Sequence, residues 1–200
     1  MKKNNNYAYP IGEKLYLNLT NKCSNNCEFC IRNHTDNMND YYLWLDKEPT
    51  SQEVISAIEK FGVENYKEVV FCGFGEPTCA LDVLLEVGVY LKQKGIATRM
   101  NTNGQANIYW GKNVVPQLAK VVDTINVSLN ETDAKKYDEV CHSVYGLEAF
   151  QIMLDFAVEC KKYCKKVVFS VVDCIGEQEI AKAQKIADSY GIPLRVRVEE

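Results

Sequence analysis

Short apolar runs rich in β-branched and aromatic residues alternate along this chain with longer stretches of helical spacing. Residues 14–20 read as a first strand. Residues 50–61 read as a helix, opened by Thr50 with Glu53 in capping-box spacing. A second strand is predicted over 66–72 and a helix over 80–94, closed by Gly95 as a C′ glycine. A third strand over 96–102, a short helix over 114–120 and a fourth strand over 123–129 follow. Helices over 132–140 and 147–164, a fifth strand over 166–173, a helix over 178–190 ended by Gly191 and a sixth strand over 193–198 complete the pattern.

Six rounds of strand and helix imply an α/β fold, with a parallel sheet and right-handed crossovers. Val69-Val70-Phe71, Ile125-Asn126-Val127 and residues 167–172 read as strands covered on both faces. Two closures satisfy this order: an open doubly wound sheet, or a partial barrel of six βα units. A full eight-unit barrel takes ~250 residues, more than the 200 here. No linker or repeat interrupts the alternation, so one domain over 1–200 is expected. The polar start through Asn6 is expected to leave residues 1–8 frayed.

A formal net charge of −4 argues against tight nucleic-acid binding, which phosphate neutralisation drives. No apolar run approaches the ~18 residues of a membrane span. The N-terminus lacks the apolar core of a secretory signal. A cytoplasmic protein without membrane contact is therefore expected. In that compartment nine cysteines point to metal binding or catalysis rather than disulfides.

Three of them, Cys23, Cys27 and Cys30, form a C-x₃-C-x₂-C loop directly after the first strand. Thiolates hold iron–sulfur clusters, and three of them can hold three irons of a four-iron cluster and leave the fourth open. A structural zinc site takes four closed ligands in paired units, and no second such unit lies near. In both closures sites form at the C-terminal ends of the strands. Cys72-Gly-Phe-Gly-Glu-Pro-Thr78 follows strand two, Asn101-Thr-Asn-Gly104 ends strand three and Ser128-Leu-Asn130 ends strand four. All of these polar clusters fall on the face that carries the cysteines.

The cysteine loop resembles the signature of the radical S-adenosylmethionine superfamily. Phe74-Gly75-Glu76-Pro77 is similar to that family's Gly-Gly-Glu-Pro motif, with Phe74 in place of the first glycine, and Phe29 stands where the family usually has an aromatic. The likeness spans essentially the whole chain, as a minimal partial (β/α)6 barrel. A closer likeness is to the subfamily encoded beside TatD-type nucleases. It rests on Leu15-Tyr-Leu-Asn-Leu-Thr-Asn, on Cys30-Ile-Arg-Asn, and on Tyr42-Leu-Trp-Leu before Glu48-Pro49-Thr50.

The resemblance implies a [4Fe-4S] cluster on Cys23, Cys27 and Cys30 whose open iron is chelated by S-adenosylmethionine. It implies reductive cleavage to methionine and a 5′-deoxyadenosyl radical that takes hydrogen from an unidentified substrate, a small molecule before a protein. The electron would come from a flavodoxin or ferredoxin. Gly75 and Glu76 would meet the methionyl amine, with Asn101 as a further polar contact. Ser128 and Asn130 alternate along strand four, so both would face the ribose and the methionyl carboxylate. Neither is charged, and Arg195 or Arg197 on strand six is the alternative partner for that carboxylate. Read without the family, Gly75 permits close backbone approach and Pro77 stiffens an ordinary β-to-α turn. Asn103-Gly104 reads as turn chemistry. Two rival functions stand beside this one: an activase of glycyl-radical enzymes, and a non-catalytic iron–sulfur electron carrier or sensor.

Residues 32–48 form a long insert without clear periodicity, which marks a functional loop. It holds His34, Asp36, Asp40, Tyr41, Tyr42 and Trp44, and is expected to lid the site. A second cluster on Cys141, Cys160, Cys164 and Cys174 is opposed by distance. Cys164 precedes strand five and Cys174 follows it, ~25 Å apart. Cys72 and Cys79 flank the Gly-Glu-Pro loop and read as packing residues. His142 reads as a surface or packing residue.

Overall fold

A computed structural model describes residues 5–198. In chain order the elements are β1 (Ala8–Ile11), β2 (Lys14–Leu17), a 3-10 turn at Ile31–Asn33, β3 (Asn37–Met38), β4 (Tyr41–Tyr42), α1 (Ser51–Phe61), β5 (Glu68–Phe71), a 3-10 turn at Pro77–Ala80, α2 (Leu81–Gln93), β6 (Thr98–Thr102), α3 (Ala106–Tyr109), α4 (Val115–Leu118), β7 (Thr124–Ser128), α5 (Ala134–Cys141), α6 (Glu148–Tyr163), β8 (Lys166–Val172), α7 (Glu177–Tyr190) and β9 (Leu194–Arg197). The capping box of α1 forms as the sequence predicts, and Gly62 closes the helix with a left-handed φ of 64°.

The main sheet runs β1-β2-β5-β6-β7-β8-β9. β1 pairs antiparallel with β2, and every later neighbour is parallel. This order never reverses. A doubly wound sheet reverses at its switch point and puts helices on both faces. A monotonic order with right-handed crossovers puts every helix on one face. The other face curls inward. The field of Arg197 on β9 reaches the thiol of Cys72, just after β5. Four strand spacings would hold them ~19 Å apart across a flat sheet. The sheet is a partial barrel.

Strand alternation sorts the side chains between the two faces. Leu15, Leu17, Val69, Phe71, Met100, Ile125, Val127, Phe169 and Val171 point outward and are fully buried. They pack against Val54 and Ile58 of α1, Leu84 and Leu91 of α2, Met153 and Phe156 of α6, and Ala183 and Ala187 of α7. Each such leucine or phenylalanine contributes roughly 1.5–3 kcal/mol by leaving water. The opposite, concave face carries Tyr16, Glu68, Arg99, Asn101, Asn126, Ser128, Ser170 and Arg197, by the same alternation and register. Val69-Val70-Phe71 and Ile125-Asn126-Val127 are buried on both faces as expected, but the two faces differ: one is an apolar core, and the concave one mixes Val70, Val168 and Val172 with polar side chains.

The expected fraying of residues 1–8 is corrected where the chain is described. Tyr7 and Ala8 are buried and β1 begins at Ala8. The Asn5 amide oxygen accepts from Asp46 N at 2.8 Å, and Asn6 donates to the Tyr42 carbonyl at 2.8 Å. Tyr7 and Tyr9 supply the apolar surface that the polar start concealed. The rest of that expectation, residues 1–4, lies outside the described residues.

Candidate functional site

β2 ends at Leu17, and the next five residues hold the polar machinery around it. Asn18 accepts from Phe74 N at 3.3 Å and donates to the Leu43 carbonyl at 2.7 Å. Asn21 exchanges two bonds with the Leu45 backbone, at 2.8 and 3.1 Å. Thr20 donates to Glu48 at 2.6 Å, and Lys22 pairs with the same carboxylate at 3.0 Å. One short segment therefore fixes both the Gly-Glu-Pro loop and the far end of the insert.

Cys23, Cys27 and Cys30 follow, each half-buried. Arg32 clamps their loop, donating to the Asn25 carbonyl at 3.1 Å and to the Asn26 side chain at 3.3 Å. A second anchor lies beneath. Gln105 is buried and accepts from Ser24 at 2.6 Å and Ser143 at 3.1 Å, while donating to Asn25 at 2.9 Å and to the Tyr137 hydroxyl at 3.3 Å. Sequence reasoning missed both Arg32 as a clamp and Gln105 as a hub. Cys30-Ile-Arg carried the first signal; the second had none, because Gln105 meets its partners only through tertiary contact.

The sulfur of Cys23 accepts from Asn25 N at 3.4 Å and from Asn103 Nδ2 at 3.8 Å. Asn103, read from sequence as a turn residue, therefore also faces the cysteine loop. Burial pushes the Cys23 thiol up to about 12, helped by the Glu76 carboxylate. Cys27 is raised chiefly by its hydrogen bond with the Cys141 thiol, then by burial; Cys30 is raised by burial. Metal loading must therefore displace protons from all three. Among the described residues no three His, Cys, Asp or Glu side chains converge on a single-ion position. A zinc-type site needs that convergence. Phe29 is half-buried and packs on the main core.

Gly75 lies against the cysteine loop so closely that a Cβ would sit 2.2 Å from the Thr20 carbonyl oxygen and 2.6 Å from that of Lys22. Glu76 N donates to the Lys22 carbonyl at 2.8 Å. The Glu76 side chain is buried and turned inward. Its carboxylate accepts from the Thr78 hydroxyl at 2.7 Å, the Thr102 hydroxyl at 2.7 Å and Asn103 N at 2.8 Å. Burial raises its pKa while those donors oppose the rise. Glu76 thus ties the turns after β5 and β6 together, and its backbone touches the cysteine loop.

Asn101 is half-buried on the concave face, where its oxygen accepts from Arg99 at 2.6 Å. Ser128 is half-buried on the same face. The alternation expected to align Asn130 with Ser128 is corrected. β7 stops at Ser128, and Asn130 has a left-handed backbone with φ 60°. Its amide donates to the Cys141 sulfur at 3.6 Å, and its buried Oδ1 has no partner. A buried polar atom left unpaired costs roughly 1–3 kcal/mol.

The insert is ordered, against the reading of an aperiodic loop. β3 and β4 form a hairpin around Asn39, whose φ is 52°. Tyr41 and Trp44 pack on the concave side of the β1–β2 hairpin with Tyr9, Tyr16 and Phe74, whereas Tyr42 is exposed. Trp44 meets Phe74 edge-on, with ring centroids 5.1 Å apart. The remaining cysteines are spread out: Cys160 is buried near the end of α6, Cys174 is exposed beyond β8, and Cys79 adjoins Tyr109. His142 caps α5 in a left-handed conformation and lies 3.3 Å from Glu28.

A profile of the Radical SAM superfamily matches residues 17–187. A tungsten-containing aldehyde ferredoxin oxidoreductase cofactor-modifying protein from Pyrococcus furiosus is 33% identical over 96 residues, covering 45% of this chain and 23% of that protein. Among solved structures, TYW1 with a lysine-pyruvate adduct bound superposes with a TM-score of 0.63 at 14% identity, over 94% of this chain and 65% of that one. A radical SAM methyltransferase from Sphaerobacter thermophilus gives 0.61 at 13% identity, over 96% and 68%. HydG, a maturase of the [FeFe]-hydrogenase, gives 0.63 at 18% identity, over 94% and 42%. At such identities these structures speak to the fold. The chain spans less than a quarter of the curated relative and about two thirds or less of these solved chains.

Proposed function

The chain belongs to the radical SAM superfamily, and from that premise we propose that it is a radical SAM enzyme acting on a small molecule. Cys23, Cys27 and Cys30 would hold the family's [4Fe-4S] cluster. When bound, the cluster and S-adenosylmethionine supply a 5′-deoxyadenosyl radical. The observation that carries this reading is the clamp between two loops. Glu76 N bonds the Lys22 carbonyl, Gly75 leaves no room for a side chain, and Asn103 reaches the Cys23 sulfur.

The chain's own residues then have separate tasks. Asn25 and Asn103 donate to sulfur, which stabilises negative charge there. The loop backbone at Gly75 and Glu76 adjoins the cysteines and would orient the methionyl amine. Ser128 and the unpaired Asn130 Oδ1 offer an acceptor set for ribose hydroxyls. Asn101 would assist from β6. The ordered insert would cover the concave side and exclude water. We further propose the nearest kinship with the TatD-linked subfamily, on Cys30-Ile-Arg-Asn and Tyr42-Leu-Trp-Leu, and a flavodoxin or ferredoxin as reductant.

Anaerobic reconstitution with iron and sulfide, followed by reduction and addition of S-adenosylmethionine, tests the reading. It predicts release of 5′-deoxyadenosine, and a perturbed electron-spin spectrum on adding the cosubstrate. Neither product nor spectral change would leave an electron carrier or sensor as the better reading.

A further inference from the structure

The concave face differs from wall to wall. On one side the insert and the β1–β2 hairpin present an apolar wall, in which Tyr16 and Trp44 are half-buried over the buried Tyr9, Leu43 and Phe74. Beside that wall, Lys14 of β2 and Arg99 of β6 share the single carboxylate of Glu68, at 3.2 and 3.0 Å. Arg99 also donates to Asn101, and Asn126 donates to Ser170 at 3.1 Å, so these groups are satisfied within the protein.

Arg197 is the exception. It stands at the last strand position of β9, on the concave face by its register with Val172. Its Nε is buried and has no hydrogen-bond partner. No carboxylate among the described residues forms an ion pair with it, and Glu68 is the only acidic residue that the strands direct to this face. On this face Asn101, Cys72, Ser128 and Arg197 are half-buried and Arg195 is exposed, while Val70, Asn126 and Ser170 are buried. A ligand therefore reaches this face around Asn101, Ser128 and Arg197, where the unsatisfied buried donor is a guanidinium.

Resting on the radical SAM reading, we propose that this face is the substrate subsite, and that the substrate is a small molecule with an anionic group held by Arg197 and an apolar body against Tyr16 and Trp44. A carboxylate or a phosphate meets the same fork of donors. Arg197 stands on β9, at the opposite edge of the sheet order from β2 and the cysteine loop that follows it, which assigns it to substrate before the carboxylate of S-adenosylmethionine.

The test uses the full chain with its cluster reconstituted and ligand-observed NMR with four probes: phenylacetate, phenyl phosphate, phenylacetamide and acetate. Phenylacetate or phenyl phosphate is expected to bind at least about tenfold more tightly than the neutral amide, the difference of one charge-assisted contact. Acetate, lacking the ring, is expected to bind about tenfold more weakly than phenylacetate. Arg197→Gln should abolish the anion preference and Arg197→Lys should keep part of it. The dissociation constant for S-adenosylmethionine, measured on the same proteins, should stay within about twofold. Equal binding of acid and amide, or a preference that survives in Arg197→Gln, overturns the proposal. So does a tenfold loss of S-adenosylmethionine affinity in that variant, which would assign the arginine to the cosubstrate. Failure to take up a cluster or to bind S-adenosylmethionine sinks the radical SAM reading instead, and the anion preference is read independently of both.

Discussion

At the scale of single residues, the site is a set of donors aimed at sulfur and at one carboxylate. Asn103 shows how this becomes measurable. Its amide donates to the Cys23 sulfur, and donors to cluster sulfurs stabilise the reduced state. Asn103→Ala is expected to lower the midpoint potential of the reconstituted cluster by about 20–60 mV, the worth of one modest hydrogen bond. Redox titration followed by electron-spin resonance reads the shift. Cys30→Ala should remove a ligand outright, seen as loss of bound iron and of the visible absorption. These cysteines were legible from spacing alone. Asn103 was legible only as a turn residue, because the partner that gives it a second role lies 80 positions away in the chain.

At the scale of elements, two contacts hold the site's walls in register. Phe74 stands where the family motif has glycine, and it fills the space against Trp44 of the insert. Phe74→Gly is expected to cost about 3–5 kcal/mol of stability by leaving a cavity. The Trp44–Phe74 pair should show a coupling of about 0.5–1.5 kcal/mol in a double-mutant cycle, read by chemical denaturation. At the opposite end of the barrel, Asp123 joins α2, β6 and the approach to β8. It accepts from Lys92, from Lys165 at 2.8 Å and from Thr98 N at 3.0 Å, contacts that hold its carboxyl well below the usual range. A depressed carboxylate contributes stability above its unfolded pKa and loses it as pH falls through the folded value. Stability should therefore decline below about pH 4, and the decline should be shallower in Asp123→Asn, as thermal unfolding across that pH range would record.

At the scale of the whole molecule, Gln105 is the point where the cysteine loop, α5 and the segment after β6 meet. Its side chain serves Ser24, Asn25, Tyr137 and Ser143 together, all buried. Gln105→Leu would leave several buried polar groups short of partners. The expected cost is about 1–3 kcal/mol for each group left unpaired, with iron retention falling alongside thermal stability. Removing a surface polar group such as Gln184, which bonds only Asp188 on its own helix, should change neither.

Local pattern determined much of this protein. The βα alternation, the capping box of α1 and the cysteine loop after a strand depend on residues close in sequence, and each stands where it was expected. So does the convergence of Gly75, Glu76, Asn101 and Ser128 on the C-terminal ends of the strands. The tertiary structure decided what depends on residues far apart. β1 exists because Tyr9 and Tyr16 stack across a hairpin, at 5.5 Å between ring centroids, though a polar start masked it. Asn130 leaves the strand and turns to Cys141. The choice of a barrel over a doubly wound sheet follows from strand order, which no local pattern encodes. The mixed concave face follows from curvature, which decides whether a strand's second face meets helices or a ligand.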